Sequence, residues 1–172
     1  MTTSSPAGAL VVAPEPVAAP DSAALLRAYY RDIVDRYYRQ HEGRPATAAE
    51  IDGALADEPS DHLVAPHGVF LVARRAGEPA GCAGVHLLSP GTAELTRVYV
   101  AAGARRRGLG GRLLAAAETA AREVLGATTL RLDTRDDLTE ARAMYARSGY
   151  AAIPAPYPKR YADHWFAKDL TA

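Results

Sequence analysis

The spacing of apolar residues changes several times along this chain, and each change predicts an element. From Ser22 the run SAALLRAYYRDIVDRYYRQH carries Leu26, Tyr30, Ile33 and Tyr37 at helical spacing. Asp21 or Ser22 is placed to cap that helix, and GRPA ends it. Thr47 and Glu50 then form a capping box for a second helix over about residues 48–57. The loop-rich DEPSDHLVAPHG follows, placed to cover something. The period then shortens to that of strands. VFLVARR and PAGCAGVHLL read as two strands joined by AGE, and TAELTRVYV as a third after the turn SPG. Leu109, Leu113, Ala117, Ala120 and Val124 return to helical spacing, with Gly126 as the stop. TTLRLDT is another strand, LTEARAMYARS a short helix ending at Gly149, and YAAIPAPY and YADHWFAKDL closing strands. A first short strand is expected at residues 10–13, before Pro14, Pro16 and Pro20 break the path. The order is α/β with a mixed sheet. Residues 1–7 read as a loose tail and 8–172 as one domain.

Composition narrows the classes of function. The 172 residues are 48% hydrophobic and 23% charged, ordinary for a globular domain. The 20 basic and 20 acidic residues cancel, so a nucleic-acid coat or a polybasic membrane anchor is not expected. The opening lacks a signal peptide's pattern, and no run of apolar residues is long enough to span a bilayer. A cytoplasmic protein is expected. Cys82 is the sole cysteine and lies in a strand-like run, which suits a small buried residue better than a catalytic thiol. The five histidines are scattered, and no metal cluster is expected.

Any anion site must therefore be local, and one stretch offers it. In ELTRVYVAAGARRRGLGGRLLAAAE, residues 94–118, an apolar strand runs into three arginines, a glycine-broken turn and a helix. The first N–H groups of a helix have no intrahelical partner and attract phosphate. Gly108, Gly110 and Gly111 take away side chains that would hold a phosphate off the backbone, and Arg105, Arg106, Arg107 and Arg112 add charge. A Walker loop would end in Lys-Ser/Thr, which is missing. A Rossmann turn would follow the first strand, with an acidic residue that Glu123 and Asp133 do not supply in the right place. Taken alone, the turn is equally a helix start with a solvated basic edge.

The segment RRRGLG resembles the phosphate loop Q/R-x-x-G-x-G/A of the GNAT superfamily, the acyl-CoA-dependent N-acetyltransferases, through Arg105, Gly108 and Gly110. ELTRVYV looks like the strand before that loop, EARAMYARSGY like the family's later helix, and WFAKDL like a C-terminal strand. The resemblance covers roughly residues 8–170. It implies a single domain with a mixed sheet of about six to seven strands and about four helices, splayed between the fourth and fifth strands. It also implies acetyl-CoA as acyl donor, with its pyrophosphate on Arg105, Arg106, Arg107, Gly108, Leu109, Gly110, Gly111 and Arg112. The pantetheine arm would lie along Val98, Tyr99 and Val100, where a backbone N–H can polarise the acetyl carbonyl. Tyr145 would be the general acid at the departing thiolate, with Ala141 on its face leaving room. The family's asparagine early in that helix is replaced here by Leu138 or Thr139.

An amine acceptor must lose a proton to attack a thioester. Glu94 is the preferred base, in the strand at the parity of Thr96 and Val98; His86, Asp133 and Glu140 are weaker choices, and a water chain is an alternative. Other roles for Glu94 are a solvated strand start or an ion pair with Arg97. The expected reaction is direct attack in a ternary complex on acetyl-CoA by a small-molecule primary amine. Protein acetylation at a lysine or N-terminus and a non-catalytic acyl-CoA sensor remain alternatives, and a homodimer is an open option. Tyr29, Tyr30, Tyr37 and Tyr38, and the segments DHLVAPHGVF and AIPAPYPKRYADHW with Tyr157, Tyr161, His164 and Trp165, are candidates for the acceptor's walls.

Overall fold

The structure, a computed structural model, describes residues 8–171; the tail read at residues 1–7 lies outside the described residues. The chain runs β1 (Leu10–Pro14), α1 (Pro20–Glu42), α2 (Ala48–Asp57), β2 (Gly68–Arg75), β3 (Glu78–Ser89), β4 (Thr92–Val100), a 3-10 turn (Ala102–Ala104), α3 (Leu109–Glu123), β5 (Thr129–Thr134), α4 (Thr139–Arg147), β6 (Ala151–Ile153) and β7 (His164–Asp169). The strands form one sheet in the order β1-β2-β3-β4-β5-β7-β6. Every pairing is antiparallel except β4 with β5. This is the mixed α/β sheet that the periodicity implies.

Local chemistry sets most element ends. Both bonds of the Thr47–Glu50 capping box form. Gly43 closes α1 in the left-handed region, where a side chain would crowd the backbone. The start of α1 differs from expectation. Its N-cap is Ala19, with Pro20 in the first turn, so Asp21 lies inside the helix and Ser22 is buried. Proline suits this place because the first helical N–H is unpaired anyway. The end of α3 differs too. Val124 is 48% exposed and Leu125 is buried. The last turn widens, with both Val124 N and Leu125 N donating to Ala120 O, which rotates Leu125 rather than Val124 inward.

Each face of the sheet has its own core. Alternate residues of β2 divide between them. Val69, Leu71 and Ala73 pack with Val85, Leu95, Leu113, Leu130 and Phe166 under α3 and α4. Phe70 and Val72 pack with Leu25, Leu26, Leu63 and Cys82 under α1. Burying a strand on both faces is what its unbroken apolar sequence requires. Burial pushes the Cys82 thiol up to about 12, and its Sγ donates to Arg97 O, so it is a packing residue.

Two irregularities in the middle of the sheet prepare a site. The β4–β5 ladder joins only residues 92–94 to 129–131, and β4 runs on to Val100 without β5 beside it. In the β3–β4 ladder, Cys82 opposes Tyr99 but Gly84 opposes Thr96, so β4 carries one extra residue there. This is a bulge, and Arg97 takes φ 56° within it. Such a conformation costs ~1–3 kcal/mol in a residue with a side chain. Arg97 is held in it by bonds from its guanidinium to Thr96 Oγ1 (2.8 Å), Ser60 Oγ (3.3 Å) and Glu58 O (3.2 Å).

Candidate active site

The bulge changes which residues share a face. Strict alternation would put Val98 with Glu94 and Thr96. Instead Val98 and Val100 join Ala93 and Leu95 on the α3 side, while Tyr99 packs toward Cys82 on the α1 side. The expected common parity of Glu94 and Val98 is therefore corrected by one residue. Past Glu94 the edge of β4 is free of β5, so the backbone of this stretch is open to a ligand along the splay.

A cleft of about 940 Å³ follows that splay. Val98, Tyr99, Val100, Arg105, Arg106, Gly108, Leu109, Gly110 and Gly111 line it. Arg107 and Arg112 do not; Arg112 Nη2 instead lies 3.4 Å from Leu10 O. The Arg105 side chain is also partly committed. Its Nε donates to Val100 O at 2.9 Å and its Nη2 lies 3.7 Å from Asp32. This fastens the turn to the end of β4. The backbone is what remains for an anion. Gly108 caps α3 at φ 75°, and the first backbone bond back into the turn is Arg112 N to Gly108 O. The N–H groups of Leu109, Gly110 and Gly111 thus precede the ladder. A Cβ on Gly111 would meet nothing within 4 Å, so the glycine leaves open space beside those donors. A diphosphate fits such a place.

Helix α4 brings Ala141, Met144 and Tyr145 to the same cleft. Tyr145 is buried and packs against Tyr150 and Phe166. Burial raises its pKa, with nearby Tyr29 and Asp133 adding to the shift, so the phenol keeps its proton at neutral pH. The Gly-Tyr that follows α4 is structural. Tyr150 Oη donates to Glu118 at 3.0 Å, and Lys168 joins Glu118 to Ser148 O, tying α3, α4 and β7 together.

Glu94 also lines the cleft, and it neither faces solvent nor pairs with Arg97. Its carboxylate meets His86 Nε2 at 3.2 Å and Lys159 Nζ at 3.3 Å. Burial alone would raise its pKa, but the His86 hydrogen bond and the Lys159 charge prevail and hold it at about 2. Asp133 comes from β5 to the same ammonium, 2.6 Å from Lys159 Nζ. Burial raises Asp133, with the Glu94 charge adding to it and Lys159 opposing it. The two carboxylates and the lysine form one coupled unit. His86 is thus a neighbour of Glu94. Glu140 is exposed and bound to Arg36, which leaves it far from a base's environment.

The acceptor end is walled by Tyr29, Tyr30, Tyr37 and Tyr38 of α1, by Glu50, Gly53, Ala54 and Asp57 of α2, and by Lys159, Arg160 and Tyr161. Tyr157, His164 and Trp165 stand outside it, as does the segment 61–70. Tyr157 packs on Trp165, and His164 pairs with Asp136. The candidate wall segment 152–165 contains Lys159, but several other lining residues, Arg97 and Arg135 among them, escaped sequence reasoning. Arg97 and Arg135 carry no local signal of their positions. Lys159, inside YPKRY, has no pattern that would set it opposite Glu94.

The model of the Acetyltransferase (GNAT) family matches residues 26–150. Blasticidin-S acetyltransferase of Streptomyces morookaense is 42% identical over 76 residues, which cover 42% of this chain and 54% of that protein. The chain thus spans about half the length of this curated relative. Among solved structures, a Klebsiella pneumoniae protein provisionally named an acyl-CoA N-acyltransferase superposes with a TM-score of 0.69 at 26% identity, over 94% of this chain and 97% of that one. PaiA N-acetyltransferase of Thermoplasma acidophilum, solved with coenzyme A, gives a TM-score of 0.69 at 15% identity, over 94% and 99%. The latter likeness is one of fold. Among the described residues no helix is long and apolar enough to cross a membrane. The splayed sheet, the glycine turn before α3 and the match over most of the chain agree: this chain belongs to the GNAT family of acetyltransferases.

Proposed function

We propose that the protein transfers the acetyl group of acetyl-CoA to a primary amine of a small molecule, by direct attack in a ternary complex. One observation carries this reading: a single cleft joins the α3 turn, the β4–β5 splay, Tyr145 and the buried Glu94, and is bordered at its far end by α1, α2 and residues 159–161. A walled pocket suits a metabolite-sized acceptor better than a protein surface. The relative's name points the same way, since blasticidin S is its acceptor.

In this reading the pyrophosphate rests on the N–H groups of Leu109, Gly110 and Gly111, and the pantetheine arm follows Val98, Tyr99 and Val100. Arg105 and Arg106 supply charge at the turn. Arg107 and Arg112 stand off the cleft and contribute only to the long-range field. The amine gives a proton to Glu94, and its nitrogen bonds to the thioester carbon. The C–S bond breaks, and Tyr145 donates a hydrogen bond or proton to the thiolate. A β4 N–H stabilises the charge on the carbonyl oxygen meanwhile. Position and dipoles do the work, and no acyl-enzyme is needed.

The test is an amine panel that includes blasticidin S, amino acids, polyamines and a lysine peptide. Release of CoA and the mass of the acetylated product are read together. Turnover confined to the peptide would overturn the small-molecule reading. CoA binding without turnover on any amine would favour a sensing domain.

A further inference from the structure

Lys159 has an unusual place for a loop residue. It lies in the segment 154–163 between β6 and β7, outside the sheet. Its ammonium nevertheless reaches into the cleft and donates to Asp133 Oδ2 at 2.6 Å and Glu94 Oε1 at 3.3 Å. The side chains of Glu94 and Asp133 are 9% and 14% exposed, that of Lys159 40%. The anions are thus built into the sheet, and the cation comes from outside. The Trp165 ring lies 5.8 Å from the same nitrogen and offers it a π face.

Building on the acetyl-transfer reading, we propose that the Lys159 ammonium occupies the seat of the acceptor's amine, and that acceptors enter as primary ammonium ions which displace it from Glu94 and Asp133. Without Lys159, Asp133 loses the ammonium 2.6 Å away and Glu94 keeps only His86 at 3.2 Å, and removing the partner of a buried charge carries a large penalty. A neutral alcohol or amide therefore has nothing to exchange for the lysine. A primary ammonium does, since it brings the same charge and the same three donors. Lys159 leaves without breaking a strand, because its own segment is a loop. Its exchange makes the enzyme select the charge and donor count of its acceptor before chemistry begins. Lys159 is thus a specificity-determining residue.

The probe is n-butylammonium chloride, with n-butanol as the neutral control, titrated into the full chain. Trp165 is the only tryptophan, and its ring lies 5.8 Å from Lys159 Nζ behind the cleft wall, so its emission reports a change of cation there. Lys159→Met is expected to bind n-butylammonium about tenfold or more tightly than the wild type, with n-butanol unchanged. The amine should also raise the melting temperature of Lys159→Met more than that of the wild type, because it restores the missing charge. Lys159→Gln, which keeps donors but no charge, should behave as Lys159→Met and serves if the methionine variant does not fold. Equal n-butylammonium affinity in wild type and variants overturns the proposal. So does an equal gain for n-butanol, which would show that the variants only open space. A CoA titration of the same samples keeps the two readings apart. Failure of the wild type to bind CoA removes the acetyl-transfer reading, while the ammonium comparison still reports on Lys159.

Discussion

A Cβ added to Gly110 would stand 2.6 Å from Met144 Sδ. The start of α3 and the helix that bears Tyr145 therefore touch through a missing side chain. Gly111, one residue on, borders open space. Two neighbouring glycines of one turn thus answer to different demands, one to helix packing and one, in the proposed reading, to the diphosphate.

That difference predicts opposite stability effects. Gly111→Ala should stabilise the fold by about 0.5–1 kcal/mol, since alanine is the better helix former and meets no clash. The same methyl intrudes beside the free N–H groups, so CoA affinity should fall about tenfold. Gly110→Ala should destabilise by ~1 kcal/mol or more, and less so in a Met144→Ala background. Thermal melts and CoA titration check both. Unchanged CoA affinity in Gly111→Ala would take the diphosphate away from this turn.

Tyr145→Phe should lower kcat about 100-fold, the lower end of the general-acid range. Its ring still packs against Tyr150 and Phe166, so folding and CoA binding should hold. Because burial raises the Tyr145 pKa, no loss of activity from its ionisation is expected between pH 6 and about 10. Steady-state rates with CoA affinity measured in parallel decide this. A kcat equal to wild type would remove Tyr145 as the acid.

Glu94 is held below its ordinary 4.5, at about 2. The sign follows from linkage: its ionised form adds stability that is present above pH 4.5 and lost as the pH falls toward 2. It stays ionised throughout the neutral range. The rise of kcat/KM with pH there should therefore follow the acceptor amine's own deprotonation. Glu94→Gln should lower kcat/KM about 100-fold without moving that limb. Asp133 is pushed up by burial, but Asp133→Asn should likewise leave that limb in place, because the limb belongs to the amine. A pH profile from 5 to 9 on each variant reads the outcome, and an unchanged rate in Glu94→Gln would transfer the base role elsewhere.

Thr47→Ala removes the hydroxyl that accepts from Glu50 N at 3.2 Å. Loss of this cap should cost about 1 kcal/mol. Helix α2 supplies Glu50, Gly53, Ala54 and Asp57 to the acceptor wall, so KM for the amine should rise while CoA affinity holds. Denaturant melts and kinetics check the two parts, and an unaltered melt would show that the box contributes nothing.

Most elements were legible from period and punctuation. The apolar runs in 69–75 and 92–100, the box at Thr47 and Glu50, and the glycines after α1 and α3 act through neighbours a few residues away. The anion turn was legible for the same reason, because a helix start and its glycines are local. The arrangement of the site was not. Arg97 in its left-handed conformation is bound through its guanidinium by residues 58–60 as well as Thr96, and this one bulge moves Val98 to the opposite face from Glu94. Arg112 looks like part of the turn until β1 comes within reach of its side chain. Glu94, Asp133 and Lys159 lie on three segments far apart in the chain, and their pKa values depend on one another. Periodicity encodes which side chains turn inward; only packing across the sheet decides which charges must share one buried place.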